Sequence, residues 1–410
     1  MAGSDTASPT VSAPVRGPKP PIPMSVITGF LGSGKTTLLN RILKDPAMAD
    51  TAVIINEFGD IGLDHLLVEQ AEDGILELSS GCLCCTIRGD LVTTLENLLR
   101  QIDNGRRDKL ARVVIETTGL ADPGPILHTI MLHPYLVLRY RLESVVTLVD
   151  GVNGLETLAT HEEARRQVAV ADRLVLTKTD LIESAEVSAE FEELKARLKG
   201  LNPGARVLSA QTGDATPQRL FDAGLYDPAT KIPDVAKWLN DEAYIDHGHS
   251  HHHHHDSEND HGHHKGHAHG HSHGHTHDVN RHDDRIRAFT LATDRAIPAS
   301  ALEMFLDLLR SAHGPKLLRV KGIVQIAEDP SRPVVIHGVQ HVFHPPATLD
   351  AWPDADHRTR MVFITHDLPE SFVSQLFDAF SGALKTDTPD PQTMVDNPLA
   401  ISGFTSPIRG

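Results

Sequence analysis

The chain has 410 residues, more than one hydrophobic core of ordinary size organises, so two domains plus some unstructured sequence are expected. A formal net charge of −17 offers no footprint for nucleic acid or an anionic membrane, and no stretch is long and apolar enough to span a bilayer; neither partner is expected. All cysteines fall between Cys82 and Cys85, too close for unstrained disulfides with one another and without a distant partner, which implies reduced thiols and a cytoplasmic location.

Residues 1–23 mix Ala, Ser and Pro without an apolar run and read as a disordered lead-in rather than a signal peptide. Over 24–233 short apolar runs (Ser25–Thr28, Ala52–Asn56, Ile75–Leu78, Val113–Glu116, Val145–Asp150, Leu174–Thr177, Val207–Ser209) alternate with amphipathic segments such as Leu91–Gln101 and Ala189–Leu198. That alternation predicts an α/β domain with a mostly parallel sheet covered on both sides, whose ligands sit at the C-terminal strand ends.

The first such end carries Gly29-Phe30-Leu31-Gly32-Ser33-Gly34-Lys35-Thr36-Thr37, a phosphate-binding loop between a strand and a helix (Thr37–Leu43). Gly29, Gly32, Ser33 and Gly34 bring backbone N–H groups to the phosphates, Lys35 reaches the β and γ oxygens, and Thr36 offers a hydroxyl to Mg²⁺. Gly81-Cys82-Leu83-Cys84-Cys85 follows in a polar loop before a helix near Asp90–Gln101. Three adjacent thiols suit a soft or borderline ion such as Zn²⁺ or Co²⁺, and with only three sulfurs a four-coordinate ion needs a further ligand. Glu116-Thr117-Thr118-Gly119 sits where P-loop proteins place a carboxylate that organises Mg²⁺ and a glycine that senses the γ-phosphate. Thr177-Lys178-Thr179-Asp180 ends another strand: a carboxylate at Asp180 can accept from both donors of guanine, and the Lys178 stem can cover the ring. Ser209-Ala210, after the next strand, is positioned to offer a backbone N–H to guanine O6.

Residues 234–284 form a linker with sixteen of the 27 histidines between His247 and His277. His247, His249, His251, His267, His269, His271, His273, His275 and His277 alternate with small or polar residues, a composition suited to weak accessory metal capture. Over 285–385 a smaller α+β domain is expected, with strands Ile286–Leu291, Lys316–Ala327, Val334–His344 and Arg360–Thr365 and helices Pro298–Ser311 and Pro369–Phe380. Within the third of these strands His337 and His341 share one face, near His344. Isolated histidines such as His65, His128, His133 and His161 read as surface or packing residues, and 386–410 is a Pro- and Asp-rich tail.

Taken in order, the phosphate loop, Asn56-Glu57-Phe58-Gly59, the Cys-x-Cys-Cys loop, Glu116-Thr117-Thr118-Gly119-Leu120-Ala121-Asp122-Pro123 and Thr177-Lys178-Thr179-Asp180 resemble the CobW family of P-loop GTPases. Leu318-Arg319-Val320-Lys321-Gly322 and Val339-Gln340-His341 resemble its C-terminal domain. The resemblance implies a Mg²⁺- and GTP-dependent metallochaperone that carries zinc or cobalt at Cys82, Cys84 and Cys85 to a metalloprotein client. It also puts Glu57 and Asp60 in a nucleotide-sensing segment near Mg²⁺. The alternative is a His-rich metal buffer or storage protein with a regulatory nucleotide site.

Overall fold

The computed structural model describes residues 20–55, 75–77, 84–107, 109–221, 239, 285–340 and 342–382. Residues 1–19 of the expected lead-in, the His-rich linker apart from Leu239 but with all its candidate ligands, and the tail from 386 lie outside the described residues, as do Glu57, Asp60, His65, Cys82 and His341; the last residues of the expected lead-in are instead ordered, with Ile22 already opening the first strand.

Strand β1 (Ile22–Gly29) and helix α1 (Lys35–Ile42) flank the phosphate loop, followed by β2 (Thr51–Ile55), β3 (Ile75–Glu77), α2 (Cys84–Asp103), β4 (Arg112–Glu116), α3 (Gly124–Leu132) and α4 (Leu136–Arg139). Then come β5 (Tyr140–Asp150), α5 (Gly154–Thr160), α6 (Glu162–Ala169), β6 (Arg173–Thr177), α7 (Ala185–Leu201), β7 (Arg206–Ser209) and α8 (Pro217–Phe221). The strands form one parallel sheet in the order β3-β2-β4-β1-β5-β6-β7. The central strands β2, β4 and β6 are short apolar runs buried almost throughout, because both faces of the sheet are covered there. Successive residues divide between them: Ala52 and Ile54 pack with Leu95 and Leu99 of α2, while Val53 and Ile55 pack with Leu38, Leu39 and Ile42 of α1. A one-residue slip of β2 would exchange these two sets, so the alternation fixes its register.

The C-terminal part contains β8 (Ile286–Thr293), α9 (Ala299–His313), β9 (Leu317–Ile326), β10 (Asp329–Val339), β11 (Val342–Phe343), β12 (Ala347–Thr348), β13 (Thr359–His366) and α10 (Glu370–Phe380). Its antiparallel sheet runs β11-β10-β9-β13-β8, with β12 paired to β10. The sequence expects a single strand over Val334–His344, but β10 stops at Val339 and the chain turns through Gln340, whose backbone is left-handed at φ 55°. The turn contains neither Gly nor Pro, so local composition does not mark it. Of the two histidines expected to share a strand face, His341 lies outside the described residues; the His337 ring stacks on His344, with centroids 4.7 Å apart.

Helices α9 and α10 cover one face of this sheet, with Leu302, Phe305, Leu309 and Phe377 against Leu317, Val320 and Phe363. The opposite face packs on the nucleotide-binding half: Leu318, Ile323, Val339, Val362 and Ile364 share a core with Val168, Val170, Leu194 and Leu198. Within that seam Asp172 is buried against Arg319, and Lys321 Nζ lies 3.1 Å from the same carboxylate. Burial alone would raise the Asp172 pKa, but Arg319 and Lys321, with the Val145 N–H, hold it well below the usual carboxylate range. Lys321 is itself lowered to about 8, mainly by burial and partly by Arg319. The apolar seam and this charge cluster fix how the two domains sit.

Candidate nucleotide and metal site

Gly34 caps α1 from the left-handed region at φ 88°, a conformation that suits glycine and leaves the first N–H groups of the helix facing the loop. Lys35 Nζ donates to the loop's own carbonyls, Gly29 O at 2.9 Å and Phe30 O at 3.3 Å. The Ser33 Oγ is buried and, among the described residues, without a hydrogen-bond partner. A buried polar atom of this kind is costly unless something binds to it. It lies in a loop of N–H donors at a helix start beside a lysine, which is the donor set a polyphosphate requires. Thr36 occupies the next position of α1.

Strands β3, β2 and β4 end level, and β1 runs two residues further, to Gly29. In register, Glu77 pairs with Ile55, Ile55 with Glu116, and Glu116 with Ile27. Glu116 is buried at that edge, and the following Thr117 ties back to β1 through its N–H to Ile27 O at 2.9 Å and its hydroxyl to Thr28 Oγ1 at 2.8 Å. Gly119 lies directly against the phosphate loop: a Cβ there would come 2.7 Å from Leu31 N and 2.8 Å from Leu31 Cα, so only glycine allows this approach. Sequence reasoning missed Gln167, whose buried side-chain amide donates to Gly119 O at 3.2 Å and Ala121 O at 3.0 Å.

On the base side, the Thr177 hydroxyl donates to Ser33 O at 2.9 Å, joining the Thr177-Lys178-Thr179-Asp180 turn to the phosphate loop. Lys178 adopts a left-handed backbone, φ 55°, and its ammonium lies 2.7 Å from Asp150 Oδ2. Asp150, at the end of β5, was not singled out from sequence; its signal is an Asp-Gly step at a strand end, the position shared by the other site residues. Burial pushes its carboxyl up, but Lys178 and the N–H groups of Asn153 and Val152 more than compensate and leave it lowered. Asp180 follows in an exposed 3₁₀ turn, Thr179–Leu181. The Ala210 N–H donates to Leu176 O at 2.9 Å, so in this arrangement that amide is engaged by the sheet, whereas the Ser209 hydroxyl is buried without a partner among the described residues. A cavity of about 190 Å³ runs along the outer flank of the phosphate loop, lined by Phe30, Leu31, Asp150, Asn153, Gln167 and Lys178.

Of the cysteine motif the described part begins at Cys84. Cys84 and Cys85 open α2 rather than lying in a loop that precedes a helix at Asp90. The sequence 84–103 has no Pro and a single Gly, so nothing in it stops the helix from extending back to the thiols. Among the described residues no group of three or more His, Cys, Asp or Glu side chains is placed to hold a metal. His161 stacks on Phe30 at 4.4 Å and His133 lies 3.7 Å from Glu96 Oε1, which gives both local packing roles. No described helix is long and apolar enough to cross a membrane.

Comparison with known proteins adds two family matches. Residues 23–209 match the model for the CobW/HypB/UreG nucleotide-binding domain, and residues 286–381 that for the cobalamin synthesis protein cobW C-terminal domain. The chain is 33% identical over 366 residues to the zinc chaperone YjiA of Escherichia coli K12, spanning 89% of this chain and 99% of that one. Over 175 residues it is 39% identical to the zinc-regulated GTPase metalloprotein activator 1 of Schizosaccharomyces pombe, 41% of each chain. Among solved structures, the Zn(II)-bound YjiA GTPase from E. coli superposes with a TM-score of 0.57 at 28% identity, covering 88% of this chain and 99% of that one.

Proposed function

Because the chain belongs to the CobW/HypB/UreG family and is a P-loop GTPase, we propose that it is a GTP-driven metallochaperone. It binds zinc or cobalt at Cys82, Cys84 and Cys85 and passes the ion to a client metalloprotein when GTP is hydrolysed. The observation that supports this reading is that β3, β2, β4 and β1 are neighbours in one parallel sheet and end along the same edge. The chain segments leaving those four ends contain, in that order, the three cysteines, Glu57 with Asp60, Gly119, and the phosphate loop. One γ-phosphate therefore has short routes to the segments that would hold the metal.

The residues present fit Mg²⁺-GTP. Ser33 supplies a buried oxygen that has no partner among the described residues, Lys35 a cation on the loop, Thr36 a hydroxyl at the helix start, and Glu116 a buried carboxylate. Thr36 and Glu116 would hold Mg²⁺, with Glu57 and Asp60 near it, and the ion would neutralise phosphate charge as it develops. Lys178 and Asp180 support guanine as the base, with Asp150 fixing the Lys178 ammonium. The sixteen histidines between His247 and His277 favour an accessory role in concentrating the cargo, several weak equivalents beside one tight site.

The test is a competition titration of zinc and of cobalt against a chromophoric chelator, with the full chain in GDP and in a non-hydrolysable GTP analogue. A loop already ordered by nucleotide spares the metal part of the entropy of arranging three thiolates. The expected tightening is about 5–150-fold, a coupling of about 1–3 kcal/mol, with ATP analogues inert. Equal affinity in the two nucleotide states removes the GTP-gated mechanism and leaves the storage reading. Replacing Cys82, Cys84 and Cys85 by Ser should remove the tight site and spare GTP binding.

A further inference from the structure

The segment from Glu116 to Gly124 carries Gly119, the glycine that on the proposed reading senses the γ-phosphate, and two glutamines hold it. Gln167 belongs to the same domain and grips its backbone. The other, Gln340, comes from the C-terminal domain, 218 residues away from the carboxylate it binds: its Nε2 donates to Asp122 at 2.7 Å from Oδ1 and 2.6 Å from Oδ2. Asp122 Oδ1 in turn accepts the Gly124 N–H at 2.9 Å, where α3 begins. The same carboxylate thus fastens the end of the sensing segment to a helix start and to the neighbouring domain.

Three features make this contact specific. Gln340 is buried, and its backbone at the β10–β11 turn is left-handed, a conformation that costs a side-chain-bearing residue free energy and persists only where surrounding contacts enforce it. Its own N–H is held by Leu318 O at 3.2 Å, so the turn is anchored to β9, the strand that also carries Arg319 and Lys321 to Asp172. Facing it, a Cβ at Gly124 would lie 1.9 Å from Gln340 Oε1 and 2.2 Å from Cδ, so a side chain there would have to displace the Gln340 amide.

We infer that Gln340 is a positioning residue for GTP hydrolysis: through Asp122 the C-terminal domain holds the Gly119 segment against the phosphate loop, so domain docking sets the turnover rate. This rests on the GTPase reading and adds to it a residue outside the nucleotide-binding domain. The hydrogen bonds described for Gln340 and Asp122 go to one another, to Gly124 and to Leu318 rather than to the phosphate loop or the base turn, so their loss should act on turnover more than on nucleotide binding. A small displacement of a catalytic segment is enough to cost one to two orders of magnitude in rate.

The amide–carboxylate pair allows a polarity swap. Gln340→Glu places two carboxylates together and breaks the contact. Asp122→Asn combined with Gln340→Glu restores it in reverse, because the new amide at position 122 donates to the new carboxylate at position 340 while the amide oxygen still accepts from Gly124. The experiment measures kcat and KM for GTP, affinity for a fluorescent GDP, and amide hydrogen exchange over 117–124, all on the full chain. In Gln340→Glu, kcat should fall about ten-fold or more with GDP affinity within about two-fold, and exchange over the segment should rise. The swapped double variant should recover most of the rate and the protection. Parent-like kcat and exchange in Gln340→Glu, or a double variant no better than the single, overturns the proposal. If the parent chain fails to hydrolyse GTP at all, the GTPase reading falls, and the exchange data still decide whether Gln340 holds the segment.

Discussion

The phosphate-loop edge and the seam between the domains are both buried and both polar, yet they are built differently. At the edge, consecutive residues supply backbone donors and the geometry is set by Gly34 and by Gly119 lying against Leu31. At the seam, side chains far apart in sequence meet, and the binding is ionic: Arg319 and Lys321 from β9 converge on Asp172, with the Asp172 carboxylate also accepting the Val145 N–H at 3.0 Å. A site made of backbone tolerates side-chain loss better than a seam whose two cations depend on one carboxylate. The two regions should therefore respond differently to substitution, and that difference can be measured.

The largest separation is expected from Asp172→Ala. It removes the carboxylate that the buried Arg319 guanidinium and Lys321 ammonium share, and breaking a buried ion pair by removing one partner costs about 3–5 kcal/mol. Urea unfolding followed by circular dichroism should show that loss. The variant should still bind GTP under native conditions, because no phosphate-loop contact is touched. A loss below about 1 kcal/mol would mean that the apolar seam of Leu318, Val339 and Ile364 holds the domains without the charge cluster.

Acid provides a second, smaller test of the seam. His344 is lowered to about 4, first by burial and then by Arg319, with Asp172 acting in the opposite direction; His337, stacked on it, is pushed down by burial, Arg319, His344 and Lys321. An unfolded histidine takes up a proton near pH 6.5, whereas the folded His344 does so only near 4, so between these values the unfolded state binds more protons. Stability is then constant above about pH 6.5 and falls as pH drops through the window to 4. Because His344 keeps part of its surface in solvent, about 2 kcal/mol is expected from it rather than the full value of the shift. Unfolding midpoints at pH 7.5 and 4.5 in the parent and in His344→Gln check this. An identical pH dependence in the two proteins would show that His344 is not the group responsible.

The same contrast explains what the sequence disclosed. The phosphate loop, the parallel first sheet and the antiparallel second sheet follow from local patterns: glycine spacing beside Lys35, short apolar runs alternating with amphipathic segments, and further apolar runs in β8, β9 and β13. Asp150, Gln167 and Gln340 were not identified as contacts because their partners lie 28, 48 and 218 residues away, and no local rule brings such pairs together. The extended strand expected over Val334–His344 failed for a related reason. A glutamine has no intrinsic signal for the left-handed turn it makes, a conformation that suits the tight reversal pairing Val339 with Val342. Cys84 was expected in a loop because glycine and thiols precede the apolar pattern, whereas the helix already begins there.

The smallest expected effect lies where the two kinds of construction meet. Thr177 is a side chain that serves the backbone-built edge: its hydroxyl donates to Ser33 O at 2.9 Å and approaches Val149 O at 3.3 Å, linking β5, β6 and the phosphate loop. Thr177→Val keeps the shape and removes the donor, leaving a loop carbonyl without this partner. A neutral hydrogen bond of this sort contributes about 0.5–1.5 kcal/mol, so GTP affinity should fall by about two- to ten-fold, while Thr177→Ser should stay near the parent. Overall stability should change by no more than the same amount, well short of the loss expected at Asp172. Isothermal titration of both variants with a non-hydrolysable GTP analogue makes the comparison. If Thr177→Val binds as tightly as the parent, the glycine-set backbone alone fixes the loop, and the base turn and the phosphate loop are independent parts of the site.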